Sequence, residues 1–149
     1  MSKKLVMLLS ALSALAVSVA AAAQAMPVVE LSAGMYRIEA EVAATEPSRE
    51  LGLMHRKTMA PQRGMLFVFD VPGRQCMWMR NTLLPLAVAF LDERGRIINV
   101  EEMQPQTDDS HCAAKPAKYA LEMNAAWFKT RGFGADTPIE GIEKAPRAR

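Results

Sequence analysis

The sequence predicts a mainly β, α+β fold: a small antiparallel curled sheet or barrel with two short helices at its margins. Three observations carry that expectation. Runs of strand length recur, polar turns separate them at hairpin spacing, and only two stretches carry helix start and stop signals. The order is strand, helix, several strands in hairpins, then strand and short helix, which suits an antiparallel sheet better than a doubly wound one.

Residues 1–25 stand outside that fold. Lys3 and Lys4 precede an almost wholly apolar run from Leu5 to Ala23, and Ala23-Gln24-Ala25 has the small-x-small form of a secretory cleavage site. The run is nearly long enough to be a membrane anchor, but alanine fills much of it and supplies little hydrophobic drive. The organisation expected is a cleaved signal peptide over 1–25, a short lead-in over 26–35, one β-rich domain over 36–144 and a frayed tail over 145–149. The expected location is periplasmic or secreted, with no membrane contact after cleavage.

Within the domain, Tyr36, Ile38, Ala40 and Val42 alternate with Arg37, Glu39 and Glu41, the period of a half-buried strand. Thr45 is the candidate cap of a helix running to about Met54, with Glu46 and Pro47 in its first turn and Leu51 and Met54 facing inward. Gly52 weakens that helix unless something packs closely on it. Met65 to Phe69 is a continuous apolar run of strand length, broken by Pro72 and Gly73, and Gln75 to Met79 reads as the returning strand of a hairpin. Leu86 to Leu91 and Ile97 to Met103 form a second hairpin around Asp92 to Gly95. Pro105 to Pro116 is polar and irregular and reads as a loop. Lys118 to Met123 alternates as a strand, and Asn124 caps a second helix from Ala125 to about Arg131, ended by Gly132.

Charge narrows the partners. Of the 18 Lys and Arg, Lys3 and Lys4 precede the expected cut and no acid does, which leaves 16 positive against 16 negative side chains. A balanced chain without a basic run offers no electrostatic footprint for nucleic acid. Cys76 and Cys112 are the only cysteines. In an oxidising compartment pairing is the expected state; two buried thiols, or a metal site with His111, are the alternatives.

Two groups of residues have the chemistry of a site. Trp78, Arg80, Asn81 and Thr82 place an indole beside a guanidinium and an amide, which suits a sugar, carboxylate or peptide: a stacking face, a bidentate charge and a directional donor and acceptor. The plainer alternative is that Trp78 is core and Arg80 to Thr82 make a turn. Glu122, Asn124 and Trp127 form the second group. Glu122 lies on the strand face opposite Leu121 and Met123, where it is either solvated or paired with Arg49, Arg56 or Arg80. A single carboxylate does not make the paired acids of a glycosidase. His55 and His111 have neither a ligand spacing nor a nucleophile motif to serve. The 11 methionines, Met65 and Met77 among them, fall largely in apolar runs and read as core packing rather than as copper ligands. No cofactor is called for.

Four ordered blocks sharpen the picture. They are Arg49-x-x-Gly52-Leu53-Met54-x-Arg56, Gly64-Met65-Leu66-Phe67-x-Phe69, Trp78-Met79-Arg80-Asn81-Thr82-x-x-Pro85-Leu86, and Ala120-Leu121-Glu122-x-Asn124-Ala125. Together they resemble the successive motifs of the domain-of-unknown-function family 192, over roughly Tyr36 to Gly134. The resemblance implies a compact β-rich fold and no particular reaction. This chain departs from it twice: Ala87 stands where the family's third motif continues with an acid, and Ala126 where its last carries glycine. Were that acid catalytic or metal-binding in relatives, this chain would lack the activity.

The function expected is a non-catalytic envelope module that binds a small polar ligand or a partner chain through Arg49, Arg56, Trp78, Arg80, Asn81, Glu122 and Asn124. The alternatives are a hydrolase acting on envelope polysaccharide, with Glu122 as its acid, and a purely structural or assembly protein.

Overall fold

The computed structural model describes residues 25–149; all but the last residue of the expected leader, residues 1–25, lies outside them. The described chain forms strands β1 (Val28–Ala33) and β2 (Tyr36–Ala43), helix α1 (Glu46–Leu51), strands β3 (Arg63–Gly73), β4 (Cys76–Met77), β5 (Leu86–Leu91), β6 (Ile97–Met103), β7 (His111–Cys112) and β8 (Ala117–Asn124), and two 3-10 turns, Lys129–Arg131 and Ile142–Lys144. Six strands make one sheet in the order β1-β2-β3-β8-β5-β6, and β4 pairs with β7 in a second, two-stranded one. No helix among the described residues is long and apolar enough to cross a membrane.

The fold is mainly β as expected, but the sheet is mixed rather than antiparallel. β2 and β3 run parallel, Ala40 opposite Gly64 and Val42 opposite Leu66. The reason lies in the connection: Thr45 and Ser48 form a capping box with Pro47 in the first turn, so the chain leaves β2 into a helix and returns by a crossover instead of a hairpin. Nor is the sheet a closed barrel. Among the described residues β1 and β6 do not pair with each other, and the segment Pro138–Glu140 touches both through isolated bridges, Ser32–Glu140 and Arg96–Pro138.

Several elements differ from the sequence expectations for identifiable reasons. The stretch read as a lead-in contains β1, which turns through Gly34 at φ 54° and pairs along the whole of β2, burying Val29, Leu31 and Ala33. Helix α1 stops at Leu51, which is exposed, and Leu53 is the buried residue instead. Gly52 takes φ 48°, and the Phe67 ring lies 3.3 Å from where its Cβ would sit, the close packing that its position required. β3 runs on through Pro72, tolerated because the ladder with β8 is irregular between Val68 and Gly73. Gln75 to Met79 does not return along β3; only Cys76 and Met77 are strand, and they pair with Cys112 and His111 inside the expected loop. The second helix shrinks to the turn Lys129–Arg131, because Asn124 gives its amide to the carbonyls of Met59 and Ala60 rather than capping. Gly132 does end that turn in the left-handed conformation. The tail is tied down: Ala145 and Ala148 pack on the core and the Arg149 N–H donates to the Ala44 carbonyl.

The central strands are apolar on both sides, as a sheet covered on both faces demands. On one face Leu31, Ile38, Leu66 and Leu121 pack beneath Trp127, Phe128, Ile139 and Ile142. On the other Met65, Phe67, Val88 and Phe90 pack with Leu53, Met79 and Ala113. The disulfide between Cys76 and Cys112 clamps β4 to β7 at a directly opposed pair.

Candidate functional site: a cavity at a buried carboxyl

The second face is incompletely covered and holds a cavity of about 370 Å³. The helix α1 and the turn after it contribute Glu46, Arg49, Glu50 and Met54. β3 contributes Phe67 and Phe69, and the disulfide-held segment contributes Gln75, Met77 and Trp78. Leu51, Gly52, Leu53, Cys76, Thr82 and Glu122 complete the lining, and of these Leu53, Thr82 and Glu122 are buried. The size is that of a small-molecule site.

Glu122 is the unusual member. It sits mid-strand in β8, opposite Met65 on β3 and Val88 on β5, and is 3% exposed. The close approach of β3 to β8 there depends on Gly64: a Cβ on it would fall 2.5 Å from the Glu122 carbonyl oxygen. No described residue supplies the carboxyl with a counter-charge or a hydrogen bond. Burial in apolar surroundings alone pushes its pKa up to about 8, so at neutral pH it is largely protonated. The expectation that Glu122 is solvated or paired with an arginine is therefore overturned.

The three arginines proposed as its partners are occupied elsewhere. Arg56 makes a bidentate pair with Glu41 at 2.5 and 2.7 Å, and that hydrogen bonding holds the Glu41 carboxyl below its usual range. Arg80 donates from Nε to Asp108 at 3.0 Å and lays its guanidinium 4.0 Å from the Trp78 ring centroid. Arg49 lines the cavity but spends Nη1 on the Val68 carbonyl, 3.0 Å away.

Of the seven residues expected to share a site, the structure thus brings Arg49, Trp78 and Glu122 to one cavity, with Arg80 stacked on Trp78. Trp78 is 45% exposed and is not core. Arg56 and Asn124 are consumed by structural bonds. Asn81, exposed and in the left-handed region at φ 54°, accepts the His55 N–H through its carbonyl and shapes a turn. The second expected group is split by strand alternation and by the end of β8: Trp127 packs into the opposite face. Sequence reasoning missed Glu46, Glu50 and Gln75 because exposed polar residues carry no signal until a wall forms around them. Phe67 and Phe69 had a signal, the two-residue period with Met65 on the Glu122 face, which the reading as a uniform apolar run concealed.

Ala87 is fully buried on the face away from the cavity. An acid at that position would not reach the Glu122 site, so its loss says nothing about the cavity. Ala126 takes φ 62°, which accounts physically for the family's glycine.

Fold and site together define a class: a small mixed-β domain with a ligand-sized cavity over an unpaired carboxyl. The chain belongs to the domain-of-unknown-function family DUF192, described as uncharacterized ACR, whose model matches residues 19–141. No curated protein matches the chain. Among solved structures, a protein of Sinorhizobium meliloti 1021 described as a candidate transcription regulator is 34% identical, with a TM-score of 0.72 over 77% of this chain and 92% of that one. A protein of unknown function from Novosphingobium aromaticivorans DSM 12444 is 27% identical, with a TM-score of 0.74 over 77% of this chain and 86% of that one.

Proposed function

We propose that the protein is an exported, non-catalytic envelope domain that holds a small polar ligand in the Glu122 cavity. One observation carries the binding half of this reading: a carboxyl buried without a partner is costly unless something else repays it, and this one opens on a cavity of ligand size. The apolar leader with its small-x-small end and the Cys76–Cys112 bridge support export.

The relative described as a transcription regulator does not redirect the reading. With 16 basic and 16 acidic side chains after Lys4, this chain has no excess positive charge to hold a phosphate backbone. A hydrolase is the second reading, and a specific observation favours it: Glu46 and Glu50 line the same cavity as Glu122, which supplies the second carboxyl that one acid alone lacked.

A thermal-shift screen of sugars, short peptides and small polar solutes tests the proposal. A binder is expected to raise the melting temperature of the parent and not of Trp78→Ala, and to be recovered unchanged. Turnover of an envelope glycan, lost in Glu122→Gln, would replace binding with hydrolysis. No stabilising compound in the whole screen would sink both.

A further inference from the structure

The lining of the cavity has a charge balance and a wall chemistry that select among polar ligands. At neutral pH two carboxylates, Glu46 and Glu50, and the protonated Glu122 face one guanidinium, that of Arg49, which is partly engaged by the Val68 carbonyl. An anionic ligand would meet net repulsion there. The apolar part of the lining combines three aromatic rings, Phe67, Phe69 and Trp78, with the aliphatic and thioether chains of Leu51, Leu53, Met54 and Met77. Ring faces attract cations, and the Trp78 ring already carries one, the Arg80 guanidinium at 4.0 Å. The acids alone would be an ordinary solvated cluster. What turns them into a site is Glu122, 3% exposed, unpartnered and lining the cavity.

We infer that the cavity takes an organic cation, a protonated amine on a compact apolar body, with its ammonium at Glu122 and its body against Phe67, Phe69 and Trp78. The inference rests on the reading of this cavity as a ligand site and narrows it to one chemical class. The penalty that burial puts on a lone carboxylate is reduced once an ammonium sits beside it, since an opposite charge in contact favours the ionised form. Binding therefore carries a proton signature. Burial alone keeps the Glu122 carboxyl largely protonated at neutral pH. The arriving ammonium stabilises the carboxylate, and up to one proton leaves to the buffer for each cation bound. Atoms and charge balance: a neutral acid and a cation become an ion pair and a free proton.

Titration calorimetry of the full protein tests this with three probes of one shape: phenethylammonium, 2-phenylethanol and phenylacetate. At pH 7, in two buffers of different ionisation enthalpy, phenethylammonium is expected to bind at least tenfold more tightly than either analogue and to release protons. Glu122→Gln, checked for folding by its melting transition, should lose the proton release and at least tenfold in affinity. Trp78→Leu, at an exposed position where folding is not at risk, should weaken the cation several-fold while leaving the proton release in place. Binding of phenylacetate or 2-phenylethanol as tightly as the amine would overturn the cation class and leave the cavity a ligand site. Cation binding without proton release, or unaffected by Glu122→Gln, would overturn the inference as well. Silence from all three probes would end it, and the broader screen of polar solutes would then decide on its own whether the cavity binds anything.

Discussion

The two faces of the large sheet are built from alternate residues of the same strands, yet they are finished differently. Leu66, Leu121 and their neighbours lie under a cover made by the C-terminal segment, in which Trp127 packs edge-on to Phe128 and Tyr36. In that cover Arg131 donates from Nη1 to the Trp127 carbonyl and sets its guanidinium over the rings of Tyr36 and Trp127, while its Nε is buried without a hydrogen-bond partner. Met65, Phe67 and Glu122 point the other way, toward a six-residue helix, the turn that follows it and a two-stranded ladder closed by a disulfide. Short pieces pinned at a few points leave a space that reaches a buried carboxyl, whereas the cavities beside the C-terminal cover, at Trp127 and at Ile139 to Ile142, reach none. The lesson is that the Glu122 cavity sits where the cover is assembled from separate segments, and the carboxyl at its wall is left without a partner among the described residues.

The largest way to break the contrast is to release the pin. Cys76 and Cys112 are 36 residues apart, and on the chain-entropy model their bridge contributes about 4 kcal/mol. Replacing both by serine is expected to lower the unfolding free energy by about that amount in urea titrations. It should also weaken ligand binding beyond the stability loss, because Gln75, Met77 and Trp78 reach the cavity on the bridged segment. Near-ultraviolet dichroism from the Trp127 cluster should persist at low denaturant. If binding survives undiminished, the disulfide is a staple for the fold and not a wall of the site.

Next in size is the carboxyl itself. A folded-state pKa near 8 against an unfolded value near 4.5 means that the native chain holds a proton that the unfolded chain has lost. Stability is then fullest below pH 4.5 and falls as pH rises toward 8, by about 3 kcal/mol at pH 7 if the whole shift is expressed. Glu122→Gln should flatten that decline and make the variant the more stable protein above neutrality. The Glu41 carboxyl, held low by Arg56, works in the opposite sense: its contribution is present above the ordinary carboxylate range and fades in acid. Urea midpoints from pH 5 to pH 8 separate the two. A Glu122→Gln profile parallel to the parent's would show that water or a partner satisfies the buried acid.

Much of the fold was legible in the sequence because its signals are local. The period of Tyr36 to Val42, the Thr45 cap and the hairpin around Asp92 to Gly95 each depend on neighbours within a few residues. The parallel pairing of β2 with β3 and the ladder between Cys76 and Cys112 depend on which distant segments meet, and composition does not specify that. The site divides the same way. Strand alternation put Glu122 on the correct face, but whether that face met solvent, an arginine or apolar walls was a tertiary question. Arg56 and Asn124 looked like site residues because a bidentate cation and an amide serve a ligand and a backbone equally well. Here Glu41 and the Met59 and Ala60 carbonyls claimed them.

The smallest effect lies on the closed side, at Ala126. Its φ of 62° places an alanine where a Cβ crowds the following carbonyl, a strain of about 1–2 kcal/mol. The conformation persists because the Ala126 N–H donates to the Glu102 carboxylate at 3.0 and 3.2 Å and Trp127 is buried immediately after it. Glycine removes the strain but gives the unfolded chain more freedom, at a cost of about 0.4–1 kcal/mol. The strain is the larger quantity, so Ala126→Gly should stabilise by about 0.5 kcal/mol, a gain of a few degrees in melting temperature for a domain of this length. Ligand affinity at the Glu122 cavity should not change, since the relieved turn belongs to the opposite cover. A shift in affinity would mean that the two faces are coupled through β8, whose alternate residues Glu122 and Met123 serve both.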